Sequence, residues 1–134
     1  MSHSFPVRVF YEDTDMAGIV YYANYLKYIE RARSDIAEAL GVDQRAMRDR
    51  GVVFVITRVE ADYLGSARFG DRLEVRTTHH AKGAVRWLLE QEVLLGRDVI
   101  FRAKVTAVCM STEGRPTRLP ADLRSRLAAD GARP

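Results

Sequence analysis

The sequence predicts an α+β fold in which one long central helix is wrapped by a curved antiparallel β-sheet of about five strands. Three observations carry this. The first is a helical apolar period confined to residues 22–40. The second is a change at residue 52 to stretches rich in Val, Ile, Thr and Tyr, which continue to residue 110. The third is that the breaks between those stretches are short and carry glycine, as hairpins between consecutive antiparallel strands require. One apolar helix stripe and one long sheet must bury each other, and a curved sheet around the helix is the simplest way to do it.

In chain order, Phe5 to Tyr11 alternates Val7, Val9 and Tyr11 with Arg8 and Phe10, the period of a strand. Pro6 suits an edge or a strand start. Residues 12–21 form a loop, with Gly18 at a point where a side chain would restrict the backbone. The helix runs from about Tyr22 to Leu40, with Leu26, Ile29, Ala32, Ile36, Ala37 and Leu40 as its stripe, and Gly41 ends it. Asp43 to Arg50 adds a short helical turn. Four strands follow, over Val52–Leu64, Asp71–Ala81, Val85–Leu95 and Val99–Met110, with turns at Lys82-Gly83 and Gly96-Arg97-Asp98. The reading is one domain over 1–134, with its core in about 5–112 and a C-terminal surface tail at 113–134 that carries a short helix at Ala121–Leu127. A single layer of this kind leaves a sheet edge and a sheet face uncovered, which a second copy would relieve.

Composition narrows the class. The chain has 134 residues, 47% hydrophobic and 29% charged, as in a globular domain with its own core. The net charge of +3 suits an anionic small molecule and does not call for nucleic acid, since no basic run is interleaved with aromatics. The lone cysteine, Cys109, excludes an intrachain disulfide and points to a reducing compartment. It lies in an apolar strand and should pack as a small hydrophobe. No signal-peptide pattern opens the chain and no apolar run is long enough to span a membrane, so the expected location is cytoplasmic. Three scattered histidines and one cysteine make no metal-ligand set. His79 and His80 point to opposite faces of a strand and are expected at the surface, and His3 in a mobile terminus.

The chemistry concentrates in Tyr11 to Arg33, YEDTDMAGIVYYANYLKYIERAR. An acidic loop with Glu12, Asp13 and Asp15 leads straight into a helix start, where free N–H groups point outward. One segment thus supplies a reacting carboxylate and donors for a developing oxyanion.

The run Tyr11-Glu12-Asp13-Thr14-Asp15-Met16-Ala17-Gly18-Ile19-Val20-Tyr21-Tyr22-Ala23-Asn24-Tyr25 resembles the signature of hotdog-fold thioesterases of the 4-hydroxybenzoyl-CoA thioesterase family. Tyr28-Ile29-Glu30-Arg31-Ala32-Arg33 is most similar to the Tol–Pal-associated acyl-CoA thioesterases, and the likeness covers about residues 5–112. It implies a hotdog fold, hydrolysis of acyl-CoA without metal or redox cofactor, and CoA present only as part of the substrate. Acyl carrier protein can replace CoA in such a reaction. By resemblance Asp15 is the catalytic carboxylate, the backbone N–H of Tyr22 polarises the thioester carbonyl, and Gly18 lies in the same turn. The Tol–Pal-associated group often carries a histidine where this chain has Tyr22. Lys82 and Arg86 are the nearest candidates for the CoA phosphates. The family builds its site between protomers, so a homodimer or a homotetramer is implied.

Thioester hydrolysis suits so small a set of groups, because a thiolate leaves easily and needs little general-acid help. Asp15 serves either as a nucleophile forming an anhydride or as a base for water. Without the resemblance, a loop aspartate before a helix is ordinarily a cap. Asp13 and Glu12 read as structural. Tyr21, Tyr25 and Tyr28 read as packing residues, Asn24 as a loop tie or a substrate contact, and Glu30 as part of a solvated helix face. Two other functions compete: a hotdog dehydratase on acyl thioesters, and a non-catalytic acyl-CoA-binding or scaffold protein. The dehydratase wants a histidine near the helix entry, and none lies between residues 4 and 78. Retention of Asp15 disfavours the binding protein.

Overall fold

A computed structural model describes residues 2–131. Its order is β1 (His3–Arg8), a 3-10 turn (Tyr11–Asp13), α1 (Asn24–Ala39), α2 (Gln44–Asp49), β2 (Val52–Tyr63), β3 (Arg72–Lys82), β4 (Arg86–Leu95), β5 (Asp98–Ser111) and α3 (Ala121–Gly131). The five strands form one antiparallel sheet in the order β1-β3-β4-β5-β2. Consecutive hairpins set Lys82 opposite Arg86 and Leu95 opposite Asp98.

The core lies between α1 and one sheet face. Alternate residues of β3, β4 and β5 point inward, among them Val75, Leu89, Val93, Phe101 and Val105. The helix meets them with Tyr25, Tyr28, Ile29, Ala32 and Ile36, spaced by three and four. The two tyrosines take the place expected for Leu26, which is 39% exposed. Stacking explains the exchange: the Tyr25 ring lies 5.2 Å from Phe101 and nearly parallel to it, so this phase of the helix buries more area. Cys109 is fully buried, and burial pushes its thiol above the ordinary range.

The first strand begins and ends earlier than its alternation suggested. Tyr11 to Asp13 closes instead as a 3-10 turn, because the Asp13 carboxylate accepts the Phe10 N–H at 2.8 Å. His3 is not loose: it sits in β1 with Nε2 2.9 Å from the Asp35 carboxylate.

The C-terminal segment is not a surface tail. Leu119, Leu123 and Leu127 are buried at helical spacing, and α3 lies on β3. Arg126 donates to the carbonyls of Leu40 (3.3 Å) and Gly41 (2.8 Å), acceptors that the end of α1 leaves open. His79 is buried too, against the expectation of a surface role. Its Nδ1 accepts the Trp87 indole N–H at 3.1 Å and its Nε2 faces the Asp130 carboxylate of α3 at 2.5 Å. Polar partners on both ring nitrogens make an inward histidine tolerable. The positions 132–134 of the predicted tail lie outside the described residues.

Candidate active site

The site is assembled by the fifteen residues between β1 and the helix. Val9 N–H reaches Asp71 C=O at 2.9 Å and Val20 N–H reaches Ala67 C=O at 2.9 Å, which fastens both ends of the loop to the segment before β3. Between them the chain makes a tight three-residue hairpin. Asp15 N–H donates to Ile19 C=O and Gly18 N–H to Asp15 C=O, each at 2.9 Å. This is a type I turn followed by a left-handed residue, and Gly18 supplies that residue with φ +79°. Any side chain there would be strained by the backbone alone, since the nearest atom to an added Cβ is 3.9 Å away, on Arg68.

Asp15 opens the turn. One carboxylate oxygen accepts Ala17 N–H at 2.9 Å, which fixes the side chain in an Asx turn. The other oxygen has no hydrogen-bond partner among the described residues, and Asp15 is exposed. The carboxylate is therefore oriented and still free to act.

Asp13 has a different task. Its C=O accepts Tyr21 N–H at 2.8 Å and the Asn24 side-chain nitrogen at 2.9 Å. Asn24, the first residue of α1, thus ties the helix start to the acidic loop, so one of its side-chain N–H groups is committed to the protein. Its amide oxygen and its second side-chain N–H have no partner among the described residues.

The helix starts at Asn24 rather than at Tyr22, which lies in the turn just before it. Ala23, at the N-cap, has no side chain that can cap the first turn. Asn24, Tyr25 and Leu26 N–H groups find Tyr21, Tyr22 and Ala23 carbonyls, and the N–H groups of Tyr22 and Ala23 keep no partner among the described residues. Two adjacent free donors at the positive end of a sixteen-residue helix suit a developing negative charge.

An aromatic wall flanks this mouth. Tyr22 is 59% exposed; its ring centroid lies 4.9 Å from Tyr21 and 5.9 Å from Tyr63 on β2. The neighbouring Tyr22 phenol holds the Tyr21 hydroxyl above its ordinary range, and the Asp15 charge adds slightly to that. The Thr14–Val20 bridge and the bond from Tyr21 N–H to Asp13 C=O bring the Asp15 turn and the two tyrosines to one side of the loop. Tyr63 and Arg68 were not among the residues singled out from sequence. Arg68 pairs with Ile19 across the loop and carries the guanidinium beside Gly18.

The sheet does not bring Lys82 and Arg86 to this mouth. They face each other at the β3–β4 turn, while the Asp15 loop is held near Asp71, where β3 begins. Eleven residues of strand separate the two ends, roughly 35 Å at strand rise. Asp15, Gly18, Tyr22 and Asn24 are together in one protomer. Lys82 and Arg86 are not with them there.

Comparison with known proteins gives the family. Residues 9–127 match the model of the thioesterase-like superfamily. The chain belongs to that superfamily. It is 34% identical over 125 residues to the acyl-CoA thioesterase YbgC of Haemophilus influenzae, with 91% of each chain covered. A probable thioesterase from Bartonella henselae superposes with a TM-score of 0.84 at 31% identity, covering 90% of this chain and 100% of the other. A 1,4-dihydroxy-2-naphthoyl-CoA thioesterase from Synechocystis shares the fold, with a TM-score of 0.90 at 22% identity over 100% of both chains. The hotdog architecture expected from residues 11–25 is thereby established for this member. Among the described residues no group of three or more His, Cys, Asp or Glu is placed to hold a metal, and no helix is long and apolar enough to cross a membrane.

Proposed function

We propose that this thioesterase-superfamily protein hydrolyses acyl-CoA thioesters to the free acid and CoA, with Asp15 as the reacting carboxylate and Tyr22 N–H as the oxyanion donor. One observation carries the reading: Asp15 is held by Ala17 N–H through one oxygen only, next to a helix mouth whose first N–H groups are free. The thioester carbonyl oxygen sits on Tyr22 N–H, joined by the free Ala23 N–H. The open oxygen of Asp15 then attacks the carbonyl carbon, or takes a proton from the water that does. In the first route the thiolate of CoA leaves and a mixed anhydride forms, which water splits. In the second, water adds directly and the tetrahedral intermediate expels the thiolate. Similarity to acyl-CoA thioesterases of the YbgC type supports CoA as carrier. The single buried thiol suits a reducing compartment, and we assign the activity to the cytoplasm.

The test is thiol release from short-chain, long-chain and benzoyl-type acyl-CoAs. Turnover of at least one class is expected. If none is hydrolysed, acyl carrier protein thioesters are tried next, and inertness there as well would leave the binding-protein reading in its place.

The same proposal includes a homodimer through β2. The sheet has two edges. β1 is six residues long and interrupted by Pro6. β2 is twelve residues long and exposes Val55, Ile56, Val59 and Tyr63. A long apolar edge invites a second strand. Two-fold antiparallel pairing would set the Tyr63 end of one β2 against the Val53–Phe54 end of the other. The Asp15 mouth would then adjoin the partner's α2. Light scattering on the wild type should read two copies, or four if dimers pair, and the doubly substituted Ile56→Lys/Val59→Lys chain one. An unchanged mass in that variant would move the interface elsewhere.

A further inference from the structure

A second set of residues lies away from the Asp15 mouth. Between α1, the N-terminal half of β2 and the inner face of the sheet is a cavity of about 150 Å³. Phe54, Ile56 and Trp87 form its apolar walls, and Arg33, Glu30 and Ser34 its polar one. By the volume a water takes in the liquid, it holds about five non-hydrogen atoms.

Arg33 is the unusual member. It is half-buried and has no carboxylate within ion-pairing distance among the described residues. Glu30, one turn before it, accepts the Ser34 hydroxyl at 2.8 Å instead. Arg33 is held by Gln91, which is fully buried. Gln91 gives its side-chain nitrogen to Ile29 C=O at 2.9 Å and to the Thr77 hydroxyl at 3.1 Å. A carbonyl only accepts, so the amide orientation is fixed and its oxygen faces Arg33, whose Nη1 donates to it at 3.0 Å. One nitrogen of the guanidinium is therefore anchored, and the remaining donors are left for the cavity. Burial lowers the Arg33 pKa from its ordinary range and Glu30 opposes the shift. A half-buried cation without an anion is costly, and an entering carboxylate would remove the cost with charge-assisted bonds.

We infer that Arg33 is a specificity residue that binds a carboxylate at the far end of the acyl group, so that the preferred substrates are thioesters of short dicarboxylic acids. The inference rests on the hydrolase reading. It also uses the β2 pairing, which sets this half of β2 against the partner's Tyr63 and so against its Asp15 mouth. Arg45 and Arg48 line an adjoining cavity that shares Phe54 and Gln44, so the surroundings are cationic despite Glu30.

Trp87 is the only tryptophan and lies in the cavity wall, so its fluorescence reports on occupancy without any reaction. Glutarate should change the emission of the full-length protein saturably, and its uncharged isostere glutaramide should not. In hydrolysis, the ratio of kcat/KM for glutaryl-CoA to that for butyryl-CoA should fall about 10- to 100-fold in Arg33→Met, the range of a charge-assisted hydrogen bond. Arg33→Lys keeps the charge but loses the fork, and should fall several-fold; it serves if the methionine variant does not fold. Equal responses to glutarate and glutaramide, or a ratio indifferent to both substitutions, would overturn the inference. Failure to hydrolyse any acyl-CoA while glutarate still binds through Arg33 would overturn the hydrolase reading and leave the carboxylate site standing.

Discussion

Asp15→Asn should lower kcat/KM for thiol release by at least about 100-fold while the protein keeps its fold and its affinity for acyl-CoA. The substitution is chosen for what it preserves. Asparagine keeps a side-chain oxygen for Ala17 N–H, so the Asx turn and the Gly18 hairpin stay closed. What it removes is the charge and the basicity of the second oxygen, which both routes of the mechanism require. Asp15→Ala should show the same loss of activity and in addition lose about 1 kcal/mol of stability, because the turn loses its side-chain acceptor. The pair of variants separates the two jobs of one residue. If Asp15→Asn hydrolyses at near the wild-type rate, Asp15 is a turn residue only. The remaining carboxylates are then poor substitutes, since Asp13 is engaged with Phe10 N–H and Glu30 with the Ser34 hydroxyl. Loss of hydrolysis with intact acyl-CoA binding would also remove the scaffold reading.

What could be read from sequence, and what could not, divides by range. The order of helix and strands was legible because each element carries its own period. The core of the site was legible because Asp15, Gly18 and the helix mouth lie within ten residues of one another, so their chemistry is nearly a local property. The place of Lys82 and Arg86, at the far end of β3 from Asp15, was not legible for the opposite reason. Their position relative to Asp15 depends on the length and direction of β3, which no local pattern reports. Arg68 was invisible because long-range pairing, the Ile19–Arg68 bridge and the bonds beside it, brings it to the loop across about fifty residues of chain. His79 was misjudged because an inward strand position is read as apolar, whereas Trp87 and Asp130 satisfy both its nitrogens. Gln91 is the same case, a polar residue at an inward position whose amide is fully occupied.

The C-terminal helix gives the largest expected effect on stability. Leu119, Leu123 and Leu127 make only a two-turn pattern, too short to stand out among the charged residues around them. Their burial shows that α3 completes the core over β3. Leu127 is 1% exposed and lies three residues before Asp130, which reaches His79. Leu127→Ala should therefore cost about 2–5 kcal/mol, as the loss of a buried leucine does, in urea unfolding followed by Trp87 fluorescence. A leucine on a surface tail would cost less than about 0.5 kcal/mol. The probe is well placed, because Trp87 donates to the same His79 that Asp130 holds. Loosening α3 should thus shift the emission in the same transition that unfolds the sheet. Two separate transitions would mean that α3 docks on a core already complete without it, and that Arg126 on the end of α1 is a surface contact rather than part of one cooperative unit.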